Sequence, residues 1–377
     1  MSNLSASEPF DTVRFEPRVS DPAPGGLHFG IGTFAFQTTE PDGSPVPGPR
    51  ILRDIVDQAV VAEQSGLDSF GIAEHYRRGM MDSAAPVVLG AIASRTKRLK
   101  LGTAVTVLST QDPVRVYNEF ATLDAVSDGR AQLIVGRGSA IESFPLFGFD
   151  LADYEELFEE KLDLLMRLLR DQPVTWTGRF RPALVDQVLE PPVAPGGVPV
   201  WVGVGGSPQS AIRAARFGLP LMLGIIGGTI ERFAPIVALF RQAQTALGQA
   251  DQPVGMHVHG YIGDTDDEAI ERFWPVWSGT MNAEAPKRGW APYRRDRYDA
   301  EVAGGSLYVG SAETVARRIA ASLGVLGASR FDFVAGASRM PQVDVLESIQ
   351  RFGTEVVPRV RALLAEGERD ERAGSVA

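Results

Sequence analysis

Short apolar runs alternate along this chain with stretches in which apolar residues return every three or four positions, and the alternation persists from Leu27 to Phe352. Runs that lack an in-and-out pattern belong to strands buried on both faces of a parallel sheet, and the 3.6-residue period marks helices that cover such a sheet. Eight runs qualify: residues 27–33, 69–73, 99–104, 132–135, 199–204, 219–223, 256–262 and 330–334. Helices are predicted between them, at 51–64, 86–96, 209–217, 230–247 and 343–352, after the acidic start Asp264-Thr265-Asp266-Asp267, and from Ser311 onward. The clearest unit runs from Leu99 to Gly138: an apolar strand, a helix opening at Asp112-Pro113, a stop at Gly129 and a second apolar strand. Asp112 suits the cap, where a carboxylate accepts orphan amide protons, and Pro113 suits the first helical position, where no backbone donor is needed.

Two excursions break the rhythm. After the fourth strand an amphipathic helix (151–170) precedes a small hairpin (174–189), and after the seventh comes a polar, aromatic segment (280–306). That segment and the Pro- and Gly-rich loop 34–50 are candidate lids, because loops of such length inside a domain are usually functional. Eight strand-then-helix units predict an α/β fold, a (β/α)8 TIM barrel with insertions after strands 4 and 7, since about 250 residues suffice for the barrel itself. A doubly wound sheet would need a dinucleotide fingerprint after an early strand, and the sequence has none. Residues 27–360 are assigned to the barrel, with flexible segments expected at 1–26 and 361–377.

Composition narrows the chemistry. A net charge of −10 over 377 residues argues against nucleic acid as a partner, since phosphate backbones call for clustered cations. The absence of cysteine removes disulfides, thiolate metal sites, cysteine-held clusters and a catalytic thiol together. Redox chemistry would then need an organic cofactor, or a metal held by histidine and carboxylates. Residues 1–26 are polar without an apolar centre, unlike a signal peptide, and runs such as 219–226 are too short to span a bilayer. A soluble cytoplasmic protein without membrane contact is expected.

Catalytic groups of such barrels sit at the carboxyl ends of the strands. Of the four histidines, His75 lies at such an end, beside Glu74, where it can move a proton near neutral pH or serve as a hydrogen-bonded rim residue. His257 and His259 share one face of the seventh strand, a spacing that suits either a chelated metal or a structural pair; no metal site is assigned. Gly205-Gly206-Ser207-Pro208 leads into a helix, so its amides can cradle a phosphate or simply form a turn. Arg137 can meet a phosphate, a pyrimidine oxygen or a neighbouring carboxylate. Residues 104–108 read as a flat wall for a planar ring or as barrel core.

Taken in order, Glu74-His75, Gly102-Thr103-Ala104-Val105, Pro113-Val114-Arg115, Leu123-Asp124, Ser127-Asp128-Gly129-Arg130, Gly136-Arg137-Gly138, Phe147-Gly148, Gly218-Leu219-Pro220 and Val309-Gly310-Ser311-Ala312-Glu313 resemble the bacterial luciferase-like family of flavin-dependent monooxygenases and oxidoreductases. The resemblance covers nearly everything from Leu27 to the final helix. It implies FMN at the carboxyl-end mouth, with reduced flavin, supplied by a separate NAD(P)H:flavin reductase, and oxygen acting on a small organic substrate. His75, with Glu74, matches the family's catalytic position, and Ala104-Val105 the place of a non-prolyl cis peptide against the flavin ring. Thr103, Gly136, Arg137 and Ser139 fall at flavin-side positions, and Gly205, Gly206 and Ser207 at the phosphate side. The family favours a homodimer through the second and third helices. Two departures stand out: Gly136 replaces the cysteine that bacterial luciferases carry near the flavin, and Glu155 replaces a phosphate-binding arginine. Light emission is not predicted. The rival readings are deazaflavin-dependent hydride transfer, a non-catalytic flavin-binding protein and, more distantly, a metal-dependent hydrolase.

Overall fold

In the computed structural model, which describes residues 26–374 except 139, 171 and 194–196, eight parallel strands close into a ring. β1 (His28–Thr33) pairs with β2 (Ser69–Ile72), and β2 with β3 (Lys100–Thr103). After a break at Ala104-Val105 the chain resumes as β4 (Thr106–Val107), and both pieces pair with β5 (Ala131–Gly136). A hairpin of β6 (Val174–Trp176) and β7 (Leu184–Gln187) stands outside the ring. The ring continues through β8 (Val200–Val204), β9 (Leu221–Ile225) and β10 (Val254–Gly263). β11 (Leu307–Ser311) lies beside β10, and β12 (Arg330–Ala335) closes the circle on β1 with Arg330 opposite His28.

The crossover helices are α1 (Gly48–Gln64), α2 (Ala85–Arg95) and α3 (Pro113–Ser127); the first excursion holds α4 (Ser143–Phe147) and α5 (Tyr154–Arg170). Then follow α6 (Pro208–Arg216), α7 (Ala234–Ala246), α8 (Asp266–Arg288), α9 (Arg295–Gly304), α10 (Ala312–Leu326), α11 (Gln342–Arg351) and α12 (Val357–Gly374). Asp112 caps α3 by accepting from the Val114 and Arg115 amides at 2.9 and 3.3 Å, so the reading of that unit holds at the level of single hydrogen bonds. No described helix is long and apolar enough to cross a membrane.

Four expectations need correction or delimitation. The segment after the seventh strand is helical: α8 runs through to Arg288 despite Pro275 and Pro286, because Trp277, Met281 and Ala285 bury one side of it, and α9 follows. A further parallel strand, β11, pairs with the upper part of β10 beyond the eight-strand ring. Residues beyond 360 continue α12, whose Leu363 and Leu364 pack on the core, so a free tail does not begin at 361. Residues 1–25, and Ser139 with its assigned flavin contact, lie outside the described residues.

The amino end of the ring is plugged by a polar layer. Arg330 donates to Asp332 (2.8 Å), Gln132 (3.0 Å) and Ser69 (3.4 Å), lies over the Trp201 ring at 5.0 Å, and is 2% exposed. His28 is joined to the same Ser69 hydroxyl at 2.8 Å. This plug leaves the carboxyl-end mouth as the open face of the barrel.

Candidate functional site

A cavity of about 300 Å³ occupies that mouth. One wall is the break between β3 and β4, where the Ala104–Val105 peptide is cis. The two Val105 methyl groups are clasped between glycines: a Cβ on Gly136 or on Gly203 would come within 2.7 Å of a Val105 methyl carbon. Only glycine permits that approach, and the result is an apolar shelf facing the cavity.

The end of β2 supplies the opposite chemistry. His75 Nδ1 lies 2.8 Å from Asp82 Oδ2, and the Asp82 side chain is fully buried in the loop leading to α2. A carboxylate can only accept here, so Nδ1 carries the proton and Nε2 is left to meet an occupant of the cavity. Glu74 is engaged differently. Its Oε2 accepts from the Val107 amide at 2.8 Å, while Oε1 accepts from Gln111 at 2.6 Å and from the Tyr76 hydroxyl. Burial and the Glu74 charge push the Tyr76 hydroxyl pKa well above its usual value. Both Glu74 oxygens thus tie β2 to the segment after the shelf, at the cavity's edge.

Of the remaining candidates, Ala104, Val105, Gly136, Arg137, Gly205 and Ser207 line the cavity together. Thr103 does not: it is 2% exposed and bonds to Thr106 Oγ1 at 2.7 Å, behind the shelf. Gly206, at φ +105°, shapes the turn into α6 without facing the cavity. Arg137 is bound to Glu155, which also takes Arg213 at 2.7 Å, and stands over the Tyr154 ring at 5.0 Å. Tyr154 in turn donates to the Gly138 carbonyl at 2.7 Å, fixing the turn that carries Arg137.

Sequence reasoning missed Asp82 and gave Phe34, His257 and His259 other readings. Asp82 sits seven residues from His75 in a loop without period, and no sequence signal marks it. Phe34 was read only as part of a lid, yet its ring packs against three imidazoles, His75, His257 and His259, at 5.3, 5.9 and 5.1 Å. Both β10 histidines line the cavity. Burial lowers the pKa of His257 to about 4 and of His259 to about 3, so both are neutral at physiological pH. Among the described residues no group of three or more histidine, aspartate or glutamate side chains could hold a metal, so the β10 pair lacks a third ligand.

The residues present fit a flavin nucleotide. The shelf offers a flat apolar face for a ring. Gly205 has open space where a Cβ would stand, and at the start of α6, where residue 208 is proline and the Ser210 and Ala211 amides donate to the Ser207 carbonyl, the Gln209 amide is left for an anion. Arg213 Nη1, on the same helix, is buried without a partner.

Residues 27–330 match the family described as luciferase-like monooxygenase. The chain is 28% identical over 246 residues to the 4-hydroxyprotoasukamycin monooxygenase of Streptomyces nodosus subsp. asukaensis, covering 63% of this chain and 66% of that one. It is 33% identical over 174 residues to an F420-dependent glucose-6-phosphate dehydrogenase of Amycolatopsis mediterranei, spanning 44% of this chain and about half, 51%, of the dehydrogenase. The crystal structure of monooxygenase RslO1 from Streptomyces bottropensis has the same fold, with a TM-score of 0.76 at 23% identity over 88% of this chain and 99% of that one.

Proposed function

We propose that this chain, which belongs to the luciferase-like monooxygenase family, is an FMN-dependent monooxygenase of a small organic substrate. The observation that carries the reading is the meeting, in one largely apolar cavity, of the Val105 shelf with the His75–Asp82 pair. FMN, delivered in its reduced form by a separate NAD(P)H:flavin reductase, supplies the two electrons with which oxygen is divided between substrate and water. The chain's own residues do the rest. Val105, held in place by Gly136 and Gly203, would support the ring, and the Ser207 and Gln209 amides would receive the phosphate. His75, kept in one tautomer by Asp82, exchanges a proton with the reacting groups through Nε2. Glu74 positions the shelf through the Val107 amide, and Phe34 with the α8–α9 insertion excludes water.

The rim favours FMN over F420, whose tail carries carboxylates beyond its phosphate. Arg137, on the cavity wall, is already paired with Glu155, and Arg179, Arg213 and Arg216, on the neighbouring α5 surface, are paired with Asp153, Glu155, Glu156 or Glu159. A single phosphate on helix amides needs none of them, whereas a polycarboxylate tail would meet those acids. A homodimer through the α2–α3 face, where Val87 and Val126 are exposed, and a cytoplasmic setting beside a separate reductase complete the proposal. Titration of the apoprotein with FMN and with F420, each oxidised and reduced, tests the cofactor by fluorescence, and an oxygen electrode tests the reaction. Tighter binding of FMN is expected. Preferential binding of F420 without oxygen uptake would replace the proposal with hydride transfer.

A further inference from the structure

We propose that His257 and His259, packed with His75 around Phe34, are the substrate-recognition surface, and that they select an uncharged molecule bearing a carbonyl or hydroxyl group on a flat apolar body. The inference rests on the flavin reading above and extends it to the class of substrate.

The β10 wall is built as unmet hydrogen-bonding capacity. His257 Nε2, packed against Gly32, and His259 Nδ1 are sealed without a partner, so each ring can meet an occupant of the cavity only through its other nitrogen. Room for the first comes from Gly32, where a Cβ would stand 2.3 Å from that nitrogen. Phenylalanine would fill these places without burying unpaired polar atoms, which are costly unless something bonds them. The accessible nitrogen of a neutral imidazole donates or accepts according to its tautomer, so the pair can hold either a ketone or a phenol. The same wall gives an anion no charge to pair with. Burial keeps both rings uncharged, Asp332 and Arg330 act on His257 in opposite directions, and Arg137 is committed to Glu155. Around them Val105, Met222 and Ile226 supply apolar contact. His259 also packs on Trp277 of α8 at 5.0 Å, so the insertion backs the recognition surface.

The test uses the full chain with 15N-labelled histidine and two probes of one skeleton, 2-acetylnaphthalene and 2-naphthoate, at pH 7, each with and without FMN. The ketone is expected to bind, to move the ring-nitrogen signals of His257 and His259, and to bind at least about tenfold more tightly than the carboxylate. His257→Phe and His259→Phe should each weaken the ketone by about tenfold, the worth of one hydrogen bond. Equal or tighter binding of the naphthoate, binding of neither probe, or ketone binding that leaves both signals and both variants unaffected overturns the proposal. Should a variant fail to fold, the wild-type signals decide alone. FMN absorbance in the same samples reports the cofactor separately, so loss of flavin binding with the ketone contact intact overturns the flavin reading only.

Discussion

At the amino end of the barrel Arg330 is tied to Asp332, Gln132 and Ser69, and His28 to Ser69; at the carboxyl end His257 and His259 stand in an equally buried wall with no partner at all. Both ends place polar side chains inside one ring of strands, where an unpaired group is expensive and a fully paired network rigidifies the core. The difference lies in what is left over. The lower network has spent its charges on itself and offers nothing to a ligand; the upper pair leaves hydrogen-bonding capacity unspent. Burial of polar residues therefore separates scaffold from site only when their partners are counted.

Acid should bring the largest effect. His28, His257 and His259 have folded pKa values near 3, 4 and 3, below the value of 6.5 in an unfolded chain, so the unfolded chain takes up protons first as pH falls. Stability is then full above about pH 6.5 and declines toward pH 4, by up to roughly 3 kcal/mol for each ring. Urea unfolding at steps between pH 7 and 4 measures it, and a flat profile would show that the rings are already hydrated. Arg330→Met comes next: it leaves Asp332 buried without its cation and should cost about 3–5 kcal/mol, read from the urea midpoint. FMN affinity at low urea should stay as in the parent; a loss would mean that the two ends are not independent. At the mouth, His75→Ala should lower turnover roughly 100-fold to 1,000-fold while stability and flavin affinity hold. Unchanged turnover removes His75 from the chemistry. Asp82→Asn is the mildest, about tenfold in turnover, together with a change in the His75 ring-nitrogen shifts that report the Nδ1–H tautomer. If those shifts stay put, Asp82 does not orient the ring.

Legibility followed the physics of each region. Strands buried on both faces declare themselves by composition, so the eight ring strands stood out, and caps such as Asp112 and Ser311 marked helix starts through their own short-range bonds. β11 was hidden because its Val309-Gly310-Ser311 half leads straight into the cap of α10. Pro275 and Pro286 disguised α8, since proline opposes a helix interior locally while burial of Trp277 and Met281 sustains it from a distance. At the site, His75, the shelf and the α6 turn were legible as residue types at strand ends. The Asp82 partnership, the commitment of Glu74 and the meeting of three histidines on Phe34 were not, because each depends on side chains brought together across the ring.

Val105 and the two glycines that grip it carry a lesson for anyone reshaping this enzyme. Enlarging either glycine alone drives a methyl into the valine, and trimming the valine alone opens a gap in the cavity wall. Mutagenesis one position at a time will find each of the three intolerant, and only libraries that vary positions 105, 136 and 203 jointly can reach a seat of different contour.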